Sequence, residues 1–377
     1  MKIAFVYDRV NKYGGAERVL EALHSVWPDA PLYTAVYDVK GAPWAEDIDV
    51  RPTFLNRVPF AKHTHELFPW ATPLAFESIS FDRYDVVISV TSAEAKGIIT
   101  KPDTLHICYC LTPTRYLWSG HEEYLARPGL GFFGSIAKNI LKRNIDTYRQ
   151  DDLISANRPD VYIAISEQVK KRIERYYGKN VEAVIYPPAP IPISGKRMIR
   201  PVYAKPFYLT VSRLVGYKRV DIVIDAFTKL GLPLIVIGDG WEKKNLTKRA
   251  GANIHFIHTR LTDEELAGYY ETCRAFVFAG VEDLGLVSVE AQSYGKPVIT
   301  YRHSGMAETV IDGRTGILFD TQSPDALMKA VKKADTMVFR AEDCRNNAER
   351  FALARFKQTF HDYVLRLYMD RVASDKS

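Results

Sequence analysis

Short apolar runs of strand length alternate with stretches of helical periodicity along nearly the whole of this 377-residue chain. That alternation is what parallel α/β sheets require, because each strand is buried on both faces and each crossover is a helix. Strands are expected near 2–8, 31–37, 85–91, 104–110, 161–165 and 181–186, and again near 207–212, 233–238, 254–258, 274–279 and 297–301. Between the two sets lies Tyr186-Pro187-Pro188-Ala189-Pro190-Ile191-Pro192, followed by Ser194-Gly195-Lys196-Arg197. Prolines at that density continue neither a helix nor a central strand, so the segment reads as a linker. The expectation is two doubly wound domains, 1–188 and 189–359, with ligands bound beyond the carboxyl ends of the strands and in the cleft between the domains. A last helical stretch, 341–372, carries Phe351, Phe356, Phe360, Val364 and Leu367 on one face. Its end, about 360–377, is expected to cross back and pack on the first domain.

Composition narrows the class. Hydrophobic residues make up 47% and charged residues 25%, as in ordinary globular proteins. No apolar run approaches the roughly 18 residues that span a bilayer, and Met1–Asp8 reads as a buried strand rather than a signal peptide. The four cysteines, Cys108, Cys110, Cys273 and Cys344, suit neither a disulfide framework nor a zinc site, which fits a reducing cytoplasm. Residues 1–190 hold 23 basic and 23 acidic side chains, so the whole net charge of +6 belongs to the second half. A basic half suits an anionic ligand or an anionic membrane surface. Nucleic acid is set aside, since no helix-turn-helix, zinc-finger spacing or aromatic RNP-type strand is present.

Three segments could carry chemistry. Gly14-Gly15-Ala16-Glu17-Arg18 follows the first strand and opens a helix, Ala16–Ser25. It is either a tight turn or a place where free amides and a helix end meet an anion. Ser212-Arg213-Leu214-Val215-Gly216-Tyr217-Lys218-Arg219 follows a strand of the second set. A guanidinium and an ammonium there either are solvated charges or grip a diphosphate. The third runs from Phe278 to Ala291, with Glu282 in a loop after a strand, Gly285 leading into a helix, and Glu290 on its first turn. Carboxylates and free amides so arranged can bind sugar or ribose hydroxyls.

These segments in order, with Tyr84-Asp85-Val86-Val87-Ile88-Ser89, Ala95-Lys96-Gly97 and Pro113-x-Arg115-Tyr116-x-Trp118, strongly resemble retaining glycosyltransferases of family 4. Within that family the chain looks most like the O-antigen and capsule mannosyltransferases of lipopolysaccharide and polysaccharide biosynthesis. The resemblance runs from residue 1 to about 360. It implies the GT-B fold, with an acceptor-side first domain and a second domain for the nucleotide-sugar donor. Arg213 and Lys218 would hold the diphosphate and stabilise it as it leaves, met by the amides of Gly14 and Gly15 as the cleft closes. Glu282 and the amides of Gly285, Leu286 and Val287 would hold hydroxyls of the transferred sugar, and Glu290 the ribose. No metal or other cofactor is implied, since cations and a helix end take that place.

The chain departs from the family at Tyr109-Cys110-Leu111-Thr112-Pro113, where Leu111 replaces a usual His that contacts the donor sugar. Ser119 and Thr259 depart more weakly, where Asp and Gly are common. Leu111, Arg115 and His303 are therefore candidates for the sugar pocket or the acceptor side. The expected function is transfer of a sugar, mannose from GDP-mannose as best guess, to a lipid-linked or polysaccharide acceptor. The alternative is a catalytically silent GT-B protein that binds nucleotide or glycan and scaffolds a partner enzyme. Residues 131–143 set Phe132, Phe133, Ile136, Ala137, Ile140 and Leu141 opposite Ser135, Lys138, Asn139 and Lys142. Such a helix either lies peripherally on the inner face of an anionic membrane or packs on the first domain. Residues 51–63 carry the same ambiguity.

Overall fold

The computed structural model describes residues 1–58, 71–126, 134–191, 199, 206–259 and 261–374. They form two compact units, Met1–Pro187 with Phe356–Ser377, and Pro188–Arg355.

The first unit is a seven-stranded parallel sheet. Its strands are β1 (Ile3–Tyr7), β2 (Leu32–Thr34), β3 (Val50–Pro52), β4 (Val86–Thr91), β5 (Leu105–Cys110), β6 (Val161–Ala164) and β7 (Ala183–Val184), in the order β3-β2-β1-β4-β5-β6-β7. β1, β4 and β5 are buried along their whole length, as a sheet covered on both faces demands. The helices are α1 (Gly15–His24), α2 (Ala71–Glu77), α3 (His121–Ala126), α4 (Gly134–Ala156) and α5 (Glu167–Tyr177). Helix α5 shows why such segments start and stop where they do. The Ser166 hydroxyl accepts from the Val169 amide at one end, and Gly178 turns left-handed at the other.

The second unit has six parallel strands. These are β8 (Tyr208–Val211), β9 (Leu234–Ile237), β10 (Ile254–Ile257), β11 (Ala275–Phe278), β12 (Val298–Tyr301) and β13 (Gly316–Phe319), in the order β10-β9-β8-β11-β12-β13. Around them lie α6 (Val220–Leu230), α7 (Lys243–Arg249), α8 (Asp263–Thr272), α9 (Leu286–Ser293), α10 (Pro324–Asp335) and α11 (Ala341–Ala348). The final helix, α12 (Leu353–Ser374), returns to the first unit. Phe356, Phe360 and Val364 enter its core, with the Phe360 ring 5.1 Å from Tyr109 and 6.3 Å from Trp27.

The doubly wound architecture is as expected, with differences of detail. The stretch 341–372 is two helices, α11 and α12, separated by a 3-10 turn at Glu349–Phe351. Edge strands β3 and β13 carry no sufficient sequence signal. β3 is three residues long, only partly buried and ends on a proline, and β13 opens on a glycine. Of the 131–143 segment, residues 134–143 belong to a longer helix, α4, whose Leu141 is buried against protein while Lys142 is exposed. Phe132 and Phe133, residues 59–63 and the linker at 192–198 lie outside the described residues. Among the described residues, no helix is long and apolar enough to cross a membrane.

Candidate active site

Chain direction in the second sheet creates a crevice. β8 and β11 are neighbours, yet the chain leaves β8 for β9 on one side and β11 for β12 on the other. The loops after them therefore diverge at a topological switch point, where open α/β sheets bind ligands. Arg213 and Lys218 follow β8, and Glu282 and Gly285 follow β11, so residues 64 or more positions apart share one rim.

The rim is tightly built. A Cβ on Gly280 would lie 2.6 Å from the Lys218 carbonyl oxygen, so only glycine lets the exit of β11 pass beside that residue. The Lys218 ammonium donates to the Glu282 carboxylate in an ion pair whose side chains are 11% and 15% exposed. Lys218 also lies 4.9 Å from the centre of the Tyr217 ring. Arg213 is exposed and donates to the Tyr217 hydroxyl at 2.5 Å. Arg219 is the non-glycine residue with positive φ among those described, at 48°, and turns the chain from the Gly216–Lys218 turn into α6.

The Glu282 loop is held from below by the loop after β12. The Ser304 hydroxyl accepts from the Glu282 amide at 2.9 Å, and the Gly305 amide donates to the Glu282 carbonyl at 2.9 Å. His303 lies on that second loop, exposed, with its ring 5.4 Å from Tyr301. Gly285 adopts φ 82° as the residue before α9, and a Cβ there would come within 2.7 Å of the Met306 methyl. Leu286 and Val287 form the half-buried first turn of α9, the end of a helix that favours negative or hydroxyl oxygen partners.

Glu290 stands on the second turn of α9, not the first as its sequence position suggests, because the helix starts at Leu286. Its Oε2 accepts from the Tyr270 hydroxyl of α8 at 3.0 Å. Neither Tyr270 nor Ser304 is marked by any sequence motif. His258 has an ordinary structural place, its Nδ1 3.0 Å from the Gly238 carbonyl and its ring stacked 5.5 Å from Phe256.

In the first unit, β1 and β4 make the corresponding switch point. Gly14 caps α1 in an extended conformation and Gly15 is its first residue. A Cβ on Gly15 would meet nothing within 4 Å, so the backbone there is open to approach. Below it the Tyr7 hydroxyl donates to buried Glu17 at 2.7 Å, and burial pushes the Tyr7 pKa well above its ordinary value. Asp8 is buried and accepts from the Thr91 hydroxyl and the amides of Ser92 and Ala95 at 2.7–2.9 Å. Burial, with Glu94 nearby, raises its pKa. Arg9 pairs with Glu94 at 2.8 Å, and Tyr116 donates to the same carboxylate at 2.8 Å.

Lys96 is 1% exposed, and its ammonium reaches Asp152 at 2.5 Å and the Ala93 carbonyl at 2.6 Å. Asp152 accepts further bonds from Thr114 and Trp118, which ties α4 to the loops after β4 and β5. Leu111, just past β5, is 7% exposed and part of the first unit's core, its amide bonded to the Thr91 carbonyl at 2.8 Å. Arg115 is half-buried four residues on, and its carbonyl accepts from the Gly120 amide at 2.8 Å. Among the described residues, no three His, Cys, Asp or Glu side chains are grouped to hold a metal ion, and all four cysteines are free and buried.

Residues 199–351, almost all of the second unit, match the family model described as glycosyl transferases group 1. This part of the chain belongs to that family. The chain is 32% identical over 202 residues to a GDP-mannose-dependent alpha-(1-6)-phosphatidylinositol monomannoside mannosyltransferase of Mycolicibacterium smegmatis, covering 46% of this chain and 53% of that protein. It is 30% identical over 162 residues to the D-rhamnosyltransferase WbpZ of Pseudomonas aeruginosa, covering 41% of each. The chain thus spans about half the length of the curated relatives it matches. Among solved structures it resembles a lipopolysaccharide outer core galactosyltransferase, WaaB, in its apo form, with a TM-score of 0.67 and 18% identity over 97% of this chain and 99% of that one. It also resembles HepE of Anabaena in complex with UDP and glucose, with a TM-score of 0.69 and 19% identity over 97% and 99%. The group 1 domain thus sits within the GT-B fold, two doubly wound parallel-sheet units.

Proposed function

We propose that the chain is a retaining glycosyltransferase that takes mannose from GDP-mannose to a lipid-linked or polysaccharide acceptor in cell-surface glycan synthesis. The observation that carries the reading is the rim at the second sheet's switch point within the group 1 domain, where Lys218 of the loop after β8 pairs with Glu282 of the loop after β11, Arg213 follows β8 and Glu290 lies on α9. Mannose and GDP rest on the curated relative named as GDP-mannose-dependent.

In this reading the Lys218 ammonium and the Arg213 guanidinium take the donor diphosphate, whose negative charge grows as the sugar–phosphate bond breaks. Glu282 accepts from hydroxyls of the sugar, and the helix end at Gly285–Val287 supplies amides to it. Glu290 accepts from the ribose hydroxyls. The departing diphosphate itself takes the proton of the acceptor hydroxyl, so retention follows from attack on the face it leaves. The residues need no metal to neutralise the leaving group.

The buried Leu111, apolar where the family has a His, favours the second reading, a silent nucleotide- or glycan-binding protein. The test offers GDP-mannose and UDP- and ADP-sugars to wild type and Leu111→His, with lipid-linked and polysaccharide acceptors. Nucleoside diphosphate release and the product's anomeric configuration are measured. An active wild type makes product of the donor's configuration, and Leu111→His, which buries a polar group at about 1–3 kcal/mol, leaves turnover flat or lower. Nucleotide binding without turnover by wild type, with a large gain in the variant, overturns the transferase reading in favour of the silent one.

A further inference from the structure

Glu290 is 8% exposed and sits on a short helix, so what orients its carboxylate decides what it can recognise. A carboxylate on two methylenes has several rotamers, and recognition of paired hydroxyls needs one of them. The Tyr270 hydroxyl donates to one carboxylate oxygen at 3.0 Å. Tyr270 itself has no room to turn. It is 2% exposed, its ring stacks on Tyr294 at 5.7 Å and 11°, and it leans on Phe276 of β11 at 6.4 Å. Its helix, α8, is anchored at its start by reciprocal bonds between Thr262 and Glu265. A fixed hydroxyl on a fixed helix therefore holds one oxygen of Glu290, across 20 residues of sequence.

We propose that Tyr270 is the positioning residue for ribose recognition, setting the Glu290 carboxylate before the nucleotide arrives. The inference rests on the reading that Glu290 holds the ribose. Tyr270 touches no ligand in this scheme; it acts through Glu290. Removing its hydroxyl while keeping the ring takes away the bond that holds this oxygen and loosens the orientation of the carboxylate. The ability to tell ribose from a sugar lacking those hydroxyls then falls, while the rest of the nucleotide binds as before.

The experiment measures, by calorimetry, dissociation constants of GDP and of its dideoxyribose analogue for wild type, Tyr270→Phe and Glu290→Gln. UDP and ADP pairs are run alongside, and the pair with the tightest ribonucleotide is used. The expected result is a strong preference of wild type for the ribonucleotide. That preference shrinks about 5- to 20-fold in Tyr270→Phe, with the dideoxy affinity unchanged, which also reports that the variant is folded. If both affinities fall together, Tyr270 is merely structural and the proposal fails. If Glu290→Gln loses the preference but Tyr270→Phe keeps it, the proposal alone fails. If wild type has no preference, the reading of Glu290 fails and the proposal with it.

Discussion

Replacing Glu282 by Gln should tighten the binding of a nucleoside diphosphate that carries no sugar, although Glu282 belongs to the proposed donor site. The Lys218 ammonium is satisfied by the Glu282 carboxylate, with both side chains largely withdrawn from water. A diphosphate must displace that partner and then sit beside a carboxylate of its own sign. A charge-assisted bond in such surroundings is worth about 1.5–3 kcal/mol. The incoming phosphate replaces it, so only a part is lost on binding. Gln at position 282 keeps the shape and removes the charge, which returns roughly 1–2 kcal/mol, or about 5- to 30-fold in Kd. The same substitution removes the acceptor for sugar hydroxyls, so transfer from the intact donor should slow. Calorimetric titration of inorganic diphosphate, GDP, UDP and ADP into wild type and Glu282→Gln reads the first effect, and initial transfer rates the second. Because the pair is electrostatic, the gain should also be larger at low ionic strength. Unchanged or weaker diphosphate binding by the variant would refute the competition argument.

Arg213→Ala should weaken nucleoside diphosphate binding at least about tenfold while leaving nucleoside binding nearly intact, as titration of both will read; equal losses would make Arg213 structural. Lys96→Met should cost about 3–5 kcal/mol, because it strands the buried Asp152 carboxylate with only Thr114 and Trp118 as neutral partners. The first unit's thermal midpoint should then fall by about 6–20 °C, with partial recovery in the Lys96→Met, Asp152→Leu double variant; a loss of under about 1 kcal/mol would contradict the structure. Burial pushes the pKa of His106 down to about 3, where its ring nitrogen meets the Ser89 hydroxyl at 2.9 Å. The unfolded chain therefore binds a proton below its ordinary value of about 6.5 that the folded chain refuses, so stability present above that pH is lost as pH falls towards 3. Denaturant melts across this range should show a slope of up to about 1.4 kcal/mol per pH unit that flattens in His106→Gln.

The sequence alone determined the local facts. Uninterrupted apolar runs such as Ile3–Tyr7 and Ala275–Phe278 are buried on both faces, so composition and length sufficed to place them as strands. Arg213, Lys218 and Glu282 could be proposed as candidates because they follow expected strand ends, which bear ligand loops whatever the pairing of the strands. What the tertiary structure alone decided is who meets whom. Lys218 faces Glu282 only because β8 and β11 pair directly, a choice of neighbour that no periodicity records. Lys96 and Asp152 look like two surface charges until α4 is laid over the loop after β4. Tyr270 reads as an ordinary helix aromatic until α8 and α9 turn it onto Glu290. A hydrophobic pattern reports the face a residue presents to the core, which is local. An ion pair or an orienting hydrogen bond depends on strand order and helix placement, which are set by packing across the whole unit.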